Sequence, residues 1–126
     1  MVKILIVDDE TTITENMKHD LSKANDDYKV FTCNSGYDAI SILLNQDIDI
    51  VITDIAMPDM NGYQLYGKIS NMFPDIPVVM MTGFGYDPNH TIIKSKKDGL
   101  KDVVFKPFDT KKMVKIINKR TNQKDE

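Results

Sequence analysis

Short apolar runs alternate with longer amphipathic segments along the whole chain. Five runs of mainly apolar residues are each bounded by polar residues, proline or glycine, which is typical of strands that are buried on both faces. These predicted strands cover Lys3–Val7, Tyr28–Thr32, Asp49–Thr53, Pro77–Met81 and Asp102–Phe105. Between the strands, apolar residues recur every three or four positions, and this spacing predicts helices.

The first predicted helix begins with Thr11 or Thr12 as its cap and ends at about Ala24. The inner face of that helix is expected to carry Ile13, Met17, Leu21 and Ala24. The other predicted helices begin at Ser35 or Gly36, run from about Gly62 to Met72, lie near Pro88–Lys97 and span Phe108–Arg120. Gly99 is expected to stop the helix near Pro88–Lys97.

Strict alternation of strand and helix predicts an α/β protein with (βα)5 topology. Short connections permit right-handed crossovers, so the five strands are expected to run parallel with helices on both faces. The expected architecture is the flavodoxin-like, doubly wound sheet with strand order 2-1-3-4-5. The whole chain, residues 1–126, is expected to form one domain with a core of about 2–120 and a frayed tail at 121–126.

Polar residues follow four of the five predicted strands. Asp8, Asp9 and Glu10 follow the first strand, Asp54 the third, Thr82 the fourth and Lys106 the fifth. Parallel strands bring their carboxyl ends to one edge of the sheet, and strands 1 and 3 flank the point where the strand order reverses. Three carboxylates, a hydroxyl and an ammonium group are therefore expected to meet in one crevice.

Such a cluster requires a compensating positive charge. Two carboxylates 4 Å apart repel each other by roughly 4 kcal/mol if the effective dielectric constant is near 20. A hard divalent cation with oxygen ligands offsets this repulsion, and a few carboxylates with water suit Mg²⁺. An aspartate beside Mg²⁺, a lysine and a hydroxyl can attack phosphorus to form an aspartyl phosphate.

Composition and charge exclude several classes of protein and of site. The 126 residues are 41% hydrophobic and 28% charged, which is typical of a soluble globular protein. No apolar stretch is long enough for a membrane span, and no signal peptide is predicted. A single cysteine, Cys33, and two scattered histidines, His19 and His90, argue against a disulfide or a transition-metal site and fit a cytoplasmic setting.

Charge is unevenly distributed along the chain. Residues 1–93 carry 5 basic and 14 acidic side chains, whereas residues 94–126 carry 11 basic and 5 acidic ones. Two readings stay open: the basic quarter meets an acidic partner, or it forms the solvated faces of two helices. The absence of an arginine cluster with interleaved aromatic residues argues against direct binding of nucleic acid.

The residues at the strand ends resemble those of the response-regulator receiver domains of two-component signalling, the CheY-like superfamily. The resemblance covers about residues 2–120. Its motifs are Val7-Asp8-Asp9-Glu10, Asp54-Ile-Ala-Met-Pro58 with Asn61-Gly62, Thr82-Gly83 and Lys106-Pro107-Phe108.

The resemblance implies a role for each of these residues. Asp54 is implied as the phosphoacceptor, with Thr82 as the switch hydroxyl and Lys106 as a contact to the phosphoryl group. Mg²⁺ is implied to be bound by Asp9 and Asp54 directly, by Asp8 largely through water and by the backbone carbonyl of Ala56. The Lys106–Pro107 peptide is implied to be cis.

The resemblance also implies partners. The phosphoryl donor is expected to be a sensor histidine kinase or a phosphotransfer protein. The target, a separate protein or an output domain, is expected to meet the face formed by residues 88–120. That face includes a set of lysines: Lys94, Lys97, Lys101, Lys112, Lys115 and Lys119. Phosphorylation-promoted dimerisation stays open as an alternative, and no membrane partner is expected.

Three positions depart from the family pattern. Receivers usually carry an aromatic residue or histidine three positions before the lysine, where this chain has Val103; Phe105 is expected to share the strand face of Val103. Ala56 and Phe84 occupy positions that often carry polar side chains able to orient a hydrolytic water. Neither side chain can hydrogen-bond a water, so slow self-dephosphorylation is expected.

Other classes of function fit less well. A receiver-like binding module that acts without phosphorylation is the main alternative, and Val103 is the residue that supports it. A phosphatase working through an aspartyl phosphate needs a second acid two residues after its nucleophile, where this chain has Ala56. A flavin carrier needs a phosphate-binding loop after strand 1, where the acidic cluster would repel the phosphate.

Overall fold

The computed structural model describes residues 1–83, 102–105 and 109–121, and five strands in these residues form one sheet. Every neighbouring pair of strands is parallel, and the order is β2-β1-β3-β4-β5. The strands are β1 (Val2–Val7), β2 (Tyr28–Cys33), β3 (Ile50–Asp54), β4 (Val78–Thr82) and β5 (Asp102–Phe105). The predicted fold class and strand order are confirmed.

Four helices cover the two faces of the sheet within the described residues. They are α1 (Thr11–Ala24), α2 (Gly36–Asn45), α3 (Gly62–Met72) and α4 (Thr110–Thr121). The carboxylate of Asp109 accepts a hydrogen bond from the Lys112 N–H at 2.7 Å and so caps the start of α4. The helix predicted near Pro88–Lys97 and its stop at Gly99 lie outside the described residues.

The sheet separates two apolar layers, because alternate residues of each strand point to opposite faces. Leu5, Val7 and Val51 pack with Leu43 of α2 and with Leu65 and Ile69 of α3, which we call the α2–α3 layer. Ile4, Ile6 and Ile52 pack with Leu21 of α1 and with Met113 and Ile117 of α4, which we call the α1–α4 layer. Burial on both faces holds the central strands, and therefore the residues at their ends, in fixed positions.

Helix α1 ends at Ala24, as predicted, but it differs from its prediction at its start and in the burial of its last residue. Its N-cap is Glu10, which makes no side-chain capping hydrogen bond, and Thr11 is already helical. Thr14 is buried on the inner face, where its hydroxyl donates to the Thr11 carbonyl oxygen at 3.0 Å and is thereby satisfied. Ala24, predicted to face inward, is exposed because it is the last residue of the helix, where the chain leaves for β2.

Helix α4 is tied to both edge strands of the sheet. The Tyr28 hydroxyl of β2 donates to the Asn118 side-chain oxygen at 2.7 Å. Arg120 donates to both carboxylate oxygens of Asp102 in β5, at 2.6 and 3.2 Å, and this bidentate contact raises the pKa of Arg120. Both ties lie at the ends where β2 and β5 begin, away from the crevice at their carboxyl ends.

No helix among the described residues has the length and apolarity needed to cross a membrane.

Two glycines of α3 are expected to respond in opposite ways to alanine substitution. A Cβ at Gly67 would meet nothing within 4 Å, so Gly67→Ala is expected to stabilise the protein by about 1 kcal/mol through helix propensity. A Cβ at Gly62 would clash with the backbone carbonyl of Asp54 and with Met80, so Gly62→Ala is expected to destabilise it by about 1–3 kcal/mol. Urea unfolding of both variants measures the difference.

The account of α3 is contradicted if Gly67→Ala lowers the free energy of unfolding, or if Gly62→Ala leaves it unchanged. Gly62→Ala also reports on the crevice, since the carbonyl it displaces belongs to Asp54.

Candidate functional site

Three carboxylates converge at the carboxyl ends of β1 and β3. Val7 of β1 pairs with Thr53 of β3 in the parallel register. The residues that follow them, Asp8 and Asp54, therefore lie side by side. Asp9 follows Asp8. One carboxylate oxygen from each of the three residues lies within 4.8 Å of the other two. The structure therefore brings together the three acids that the sequence analysis singled out.

The three carboxylates differ in exposure. Asp8 is 0% exposed and Asp54 7% exposed, whereas Asp9 lies at the surface. One carboxylate oxygen of Asp8 accepts a hydrogen bond from the backbone N–H of Glu10 at 3.0 Å. Burying carboxylates side by side is costly unless a positive charge offsets their repulsion. Three close carboxylate oxygens form a donor set that fits Mg²⁺, which prefers oxygen ligands.

The backbone around Asp54 is fixed by several hydrogen bonds. The Thr53 hydroxyl donates to the Asp54 carbonyl oxygen at 3.1 Å, and the next N–H, of Ile55, donates to Met81 in β4 at 3.0 Å. The chain then loops out and returns at Gly62, whose N–H donates to the Ile55 carbonyl at 2.9 Å. Asp54 is thus held between a buried strand and a closed loop.

Thr82 places a buried hydroxyl on the neighbouring strand. Asp54 pairs with Met81, so Thr82 lies one residue beyond Asp54 along the edge that carries the site. Thr82 is 2% exposed, and its hydroxyl has no hydrogen-bond partner among the described residues. Buried hydroxyls normally have a partner. Among the described residues, this hydroxyl therefore has an unused hydrogen-bonding capacity at the carboxyl end of β4.

The remaining predicted site residues are Ala56 and Lys106. Ala56 is exposed in the loop that follows β3, and its role as a carbonyl ligand stays a prediction. Lys106 and the Lys106–Pro107 peptide lie outside the described residues, as does Phe84. The strand that precedes Lys106 is described, and its last residue, Phe105, pairs with Thr82.

Strand β5 shows what replaces the usual aromatic residue. Val103 packs against the α2–α3 layer, in register with Met80 of β4. Phe105 is 49% exposed, so the aromatic ring of this strand lies at the surface. Position 103 therefore has no aromatic ring that could turn from the surface into the core. Phe105 instead presents an exposed apolar side chain at the edge of the sheet.

The loop between β3 and α3 has a specific local structure that composition alone did not reveal. Asp59 has a φ of 65°, a left-handed conformation that asparagine and aspartate tolerate better than most residues. Asn61 then caps α3: its side chain accepts from the Gln64 N–H, and the Gln64 side chain accepts from the Asn61 N–H, both at 2.9 Å. This capping box ends the loop and starts α3 at Gly62.

The sequence analysis missed Asn34, which lies in the connection between β2 and α2. Its side-chain N–H donates to the backbone carbonyl of Asp8 at 2.8 Å. The two residues are 26 positions apart, and an asparagine before a helix is usually a turn or capping residue. No sequence signal distinguishes this asparagine from those, because the contact depends on the pairing of β1 with β2.

Neither Cys33 nor His19 belongs to the carboxylate cluster. Cys33 is buried, and burial raises the pKa of its thiol to about 11, so it stays protonated at neutral pH. His19 is exposed on α1, and His90 lies outside the described residues. The prediction that Cys33 is a small buried residue is confirmed.

The chain is similar to known proteins over most of its length. Residues 4–118 match the family described as the response regulator receiver domain. Response regulator SaeR of Staphylococcus aureus is 38% identical over 118 residues, a stretch that covers 94% of this chain and 50% of SaeR. The chain therefore spans about half the length of the curated relatives it matches.

Solved structures give the same result. A response regulator receiver domain protein of Clostridium thermocellum superposes with a TM-score of 0.89 at 31% identity, covering 99% of this chain and 98% of that one. A CheY-like receiver domain protein of Methanospirillum hungatei superposes with a TM-score of 0.86 at 25% identity, covering 99% and 97%.

Mg²⁺ is expected to stabilise the protein through the three carboxylates. At a Mg²⁺ concentration about tenfold above the dissociation constant, Tm should rise by about 4–6 °C, and EDTA should reverse the rise. Asp9→Asn removes one charge from the cluster at an exposed position, so it should raise Tm in EDTA and abolish most of the Mg²⁺ effect. Differential scanning calorimetry measures both changes.

Asp47→Asn provides the matched control, because it makes the same charge change at an exposed position between α2 and β3. It should leave the Mg²⁺ effect as in the wild type. A Mg²⁺ effect that survives Asp9→Asn, or that Asp47→Asn also removes, would show that the cluster is not the binding site.

Proposed function

Because the chain belongs to the response regulator receiver family, we propose that it accepts a phosphoryl group on Asp54 and thereby changes its affinity for a partner. The observation that carries this proposal is the convergence of Asp8, Asp9 and Asp54 within 4.8 Å, together with the buried hydroxyl of Thr82 at the end of the neighbouring strand β4. These groups, at the carboxyl ends of β1, β3 and β4, support a proposal in which Asp54 is the nucleophile, the three carboxylates are cation ligands and Thr82 is a hydrogen-bond donor.

Asp54 is the proposed nucleophile. One of its carboxylate oxygens attacks the phosphorus of the donor, forming an O–P bond as the P–N bond of a phosphohistidine breaks. The electron pair of that bond returns to the donor imidazole, which takes up a proton. The donor is a sensor histidine kinase or a phosphotransfer protein. The phosphoryl group that remains on Asp54 adds negative charge to an already acidic crevice.

The residues around Asp54 compensate that charge. Asp8, Asp9, Asp54 and the carbonyl of Ala56 are the proposed ligands of Mg²⁺, which neutralises charge on the transferred phosphoryl oxygens when bound. Lys106 is proposed to contact the same oxygens as a second positive charge. The Thr82 hydroxyl donates to one of them and so gains the hydrogen bond that it lacks within the described residues.

Phosphorylation is proposed to shift a conformational equilibrium that starts at Thr82. Thr82 pairs with Phe105, so a movement at the end of β4 passes directly to the end of β5. The proposed partner-binding surface then includes the half-exposed ring of Phe105 and the exposed lysines of α4. The lysines are Lys111, Lys112, Lys115 and Lys119. Their charge favours an acidic surface on the target, in a cytoplasmic setting.

A phosphorylation-independent binding module is the second candidate, favoured by one observation. Val103 packs into the α2–α3 layer and leaves no aromatic ring at that position to couple Thr82 to the surface. In that case the same edge of the sheet would bind its partner without a change at Asp54.

Incubation with acetyl phosphate should add one phosphoryl group to the protein in the presence of Mg²⁺, and none in EDTA. Intact-mass spectrometry measures the product. Asp54→Asn should give no adduct, since it removes the nucleophile but keeps the size of the side chain. Asp49→Asn is the control and should still form the adduct. Asp49 lies just before β3, at the end of the strand opposite to Asp54.

An adduct that persists in Asp54→Asn would place the modification elsewhere. Absence of an adduct in the wild type under every condition, with Mg²⁺ still binding, would favour the phosphorylation-independent module.

The phosphorylated protein is expected to lose its phosphoryl group slowly. Ala56 lies on the exposed loop beside the cluster and has no side-chain group to orient a hydrolytic water. Ala56→Asn supplies such a group and should shorten the lifetime severalfold, whereas Ala56→Val should not. The decay of the phosphorylated mass after removal of the donor measures the lifetime, and loss within seconds in the wild type would contradict this expectation.

A further inference from the structure

We propose that Asn34 is a positioning residue for the carboxylate cluster. Its side-chain N–H holds the main-chain carbonyl of Asp8 and thereby fixes the peptide that joins Asp8 to Asp9. The inference rests on the proposed function, since it concerns how strongly the cluster binds a divalent cation. Asn34 contributes no ligand atom itself: it acts through the backbone of two residues that do.

The geometry of the contact is direct. The nitrogen of the Asn34 side chain lies 2.8 Å from the Asp8 carbonyl oxygen, which is a good hydrogen bond. That carbonyl and the N–H of Asp9 belong to one planar peptide unit. Fixing the oxygen therefore limits the rotation of the whole unit and with it the direction in which the Asp9 side chain leaves the backbone.

Asp9 needs this restraint more than Asp8 does. The Asp8 side chain is fully buried, and its carboxylate accepts a hydrogen bond from the Glu10 N–H. Asp9 is exposed, so packing does little to hold its side chain. The bond from Asn34 adds a second side-chain restraint on the backbone of this segment, beside the bond from the Glu10 N–H to the Asp8 carboxylate, and it acts directly on the peptide that joins the two acids.

Asn34 is itself held on both sides. The residue before it, Cys33, accepts a hydrogen bond from the Asp8 N–H at 3.2 Å through its carbonyl, which continues the pairing of β1 with β2. The residue after it, Ser35, caps α2 by accepting from the Asp38 N–H at 3.1 Å. Asn34 therefore stands in a short connection that is fixed at each end, and little entropy is lost when its side chain bonds to Asp8.

Isothermal titration calorimetry with Mg²⁺ tests the inference on the whole chain. Asn34→Ala should weaken the Mg²⁺ affinity about tenfold, the lower end of what substitution of residues behind metal ligands costs. Asn34→Leu should weaken it to a similar extent, because leucine restores the volume of the side chain but not the donor. The melting temperature in EDTA, measured on the same samples, reports the purely structural effect.

Asn45→Ala is the matched control. The Asn45 side-chain N–H also donates to a backbone carbonyl, that of Ser41, at 2.8 Å, but at the carboxyl end of α2, away from the cluster. Asn45→Ala should leave the Mg²⁺ affinity unchanged.

The possible failures are distinguishable. If the wild type binds Mg²⁺ and the Asn34 variants bind it equally well, the positioning role is wrong while the proposed function stands. The positioning role is also wrong if Asn45→Ala weakens Mg²⁺ binding as much as Asn34→Ala. If the wild type binds no Mg²⁺, the cation site itself is wrong and the proposed function fails first.

Discussion

The mutual repulsion of three carboxylates is the constraint on which the site depends. Asp8 and Asp54 lie at the ends of two neighbouring strands that are buried on both faces, so neither can move away from the other without breaking the sheet. Helices on both sides keep those strands in place. The fold thus brings three carboxylates together, and in the proposed function a divalent cation offsets their mutual repulsion.

The contacts of α4 and the proposed functional groups lie at opposite ends of the strands. At the ends where β2 and β5 begin, α4 is tied to Tyr28 and to Asp102. At the other ends of the strands lie the cluster, the unpartnered hydroxyl of Thr82 within the described part of the chain, and the half-exposed ring of Phe105. In the proposed function, a change of charge at Asp54 in β3 acts first on the end of β4, and Phe105 lies one strand farther on, at the end of β5.

Much of the fold and of the acidic cluster follows from the sequence because both depend on short-range periodicity and on the order of elements. Apolar runs and their polar ends locate the strands, and a parallel sheet then brings Asp8, Asp9 and Asp54 to one edge. What the sequence did not reveal depends on contacts between distant segments or on single backbone angles. The bond from Asn34 to Asp8 needs the pairing of β1 with β2, and the left-handed φ of Asp59 is a local solution to closing a loop. Ala24 fits the helical period but lies where the helix ends, so the period alone misassigned it.

The central claim is that the three carboxylates form one divalent-cation site. Anomalous X-ray diffraction from crystals grown with Mn²⁺, which takes the same oxygen ligands as Mg²⁺, tests it most directly. The account predicts a single strong peak bounded by carboxylate oxygens of Asp8, Asp9 and Asp54. A peak elsewhere on the molecule, or none when the cation is in large excess, would contradict it.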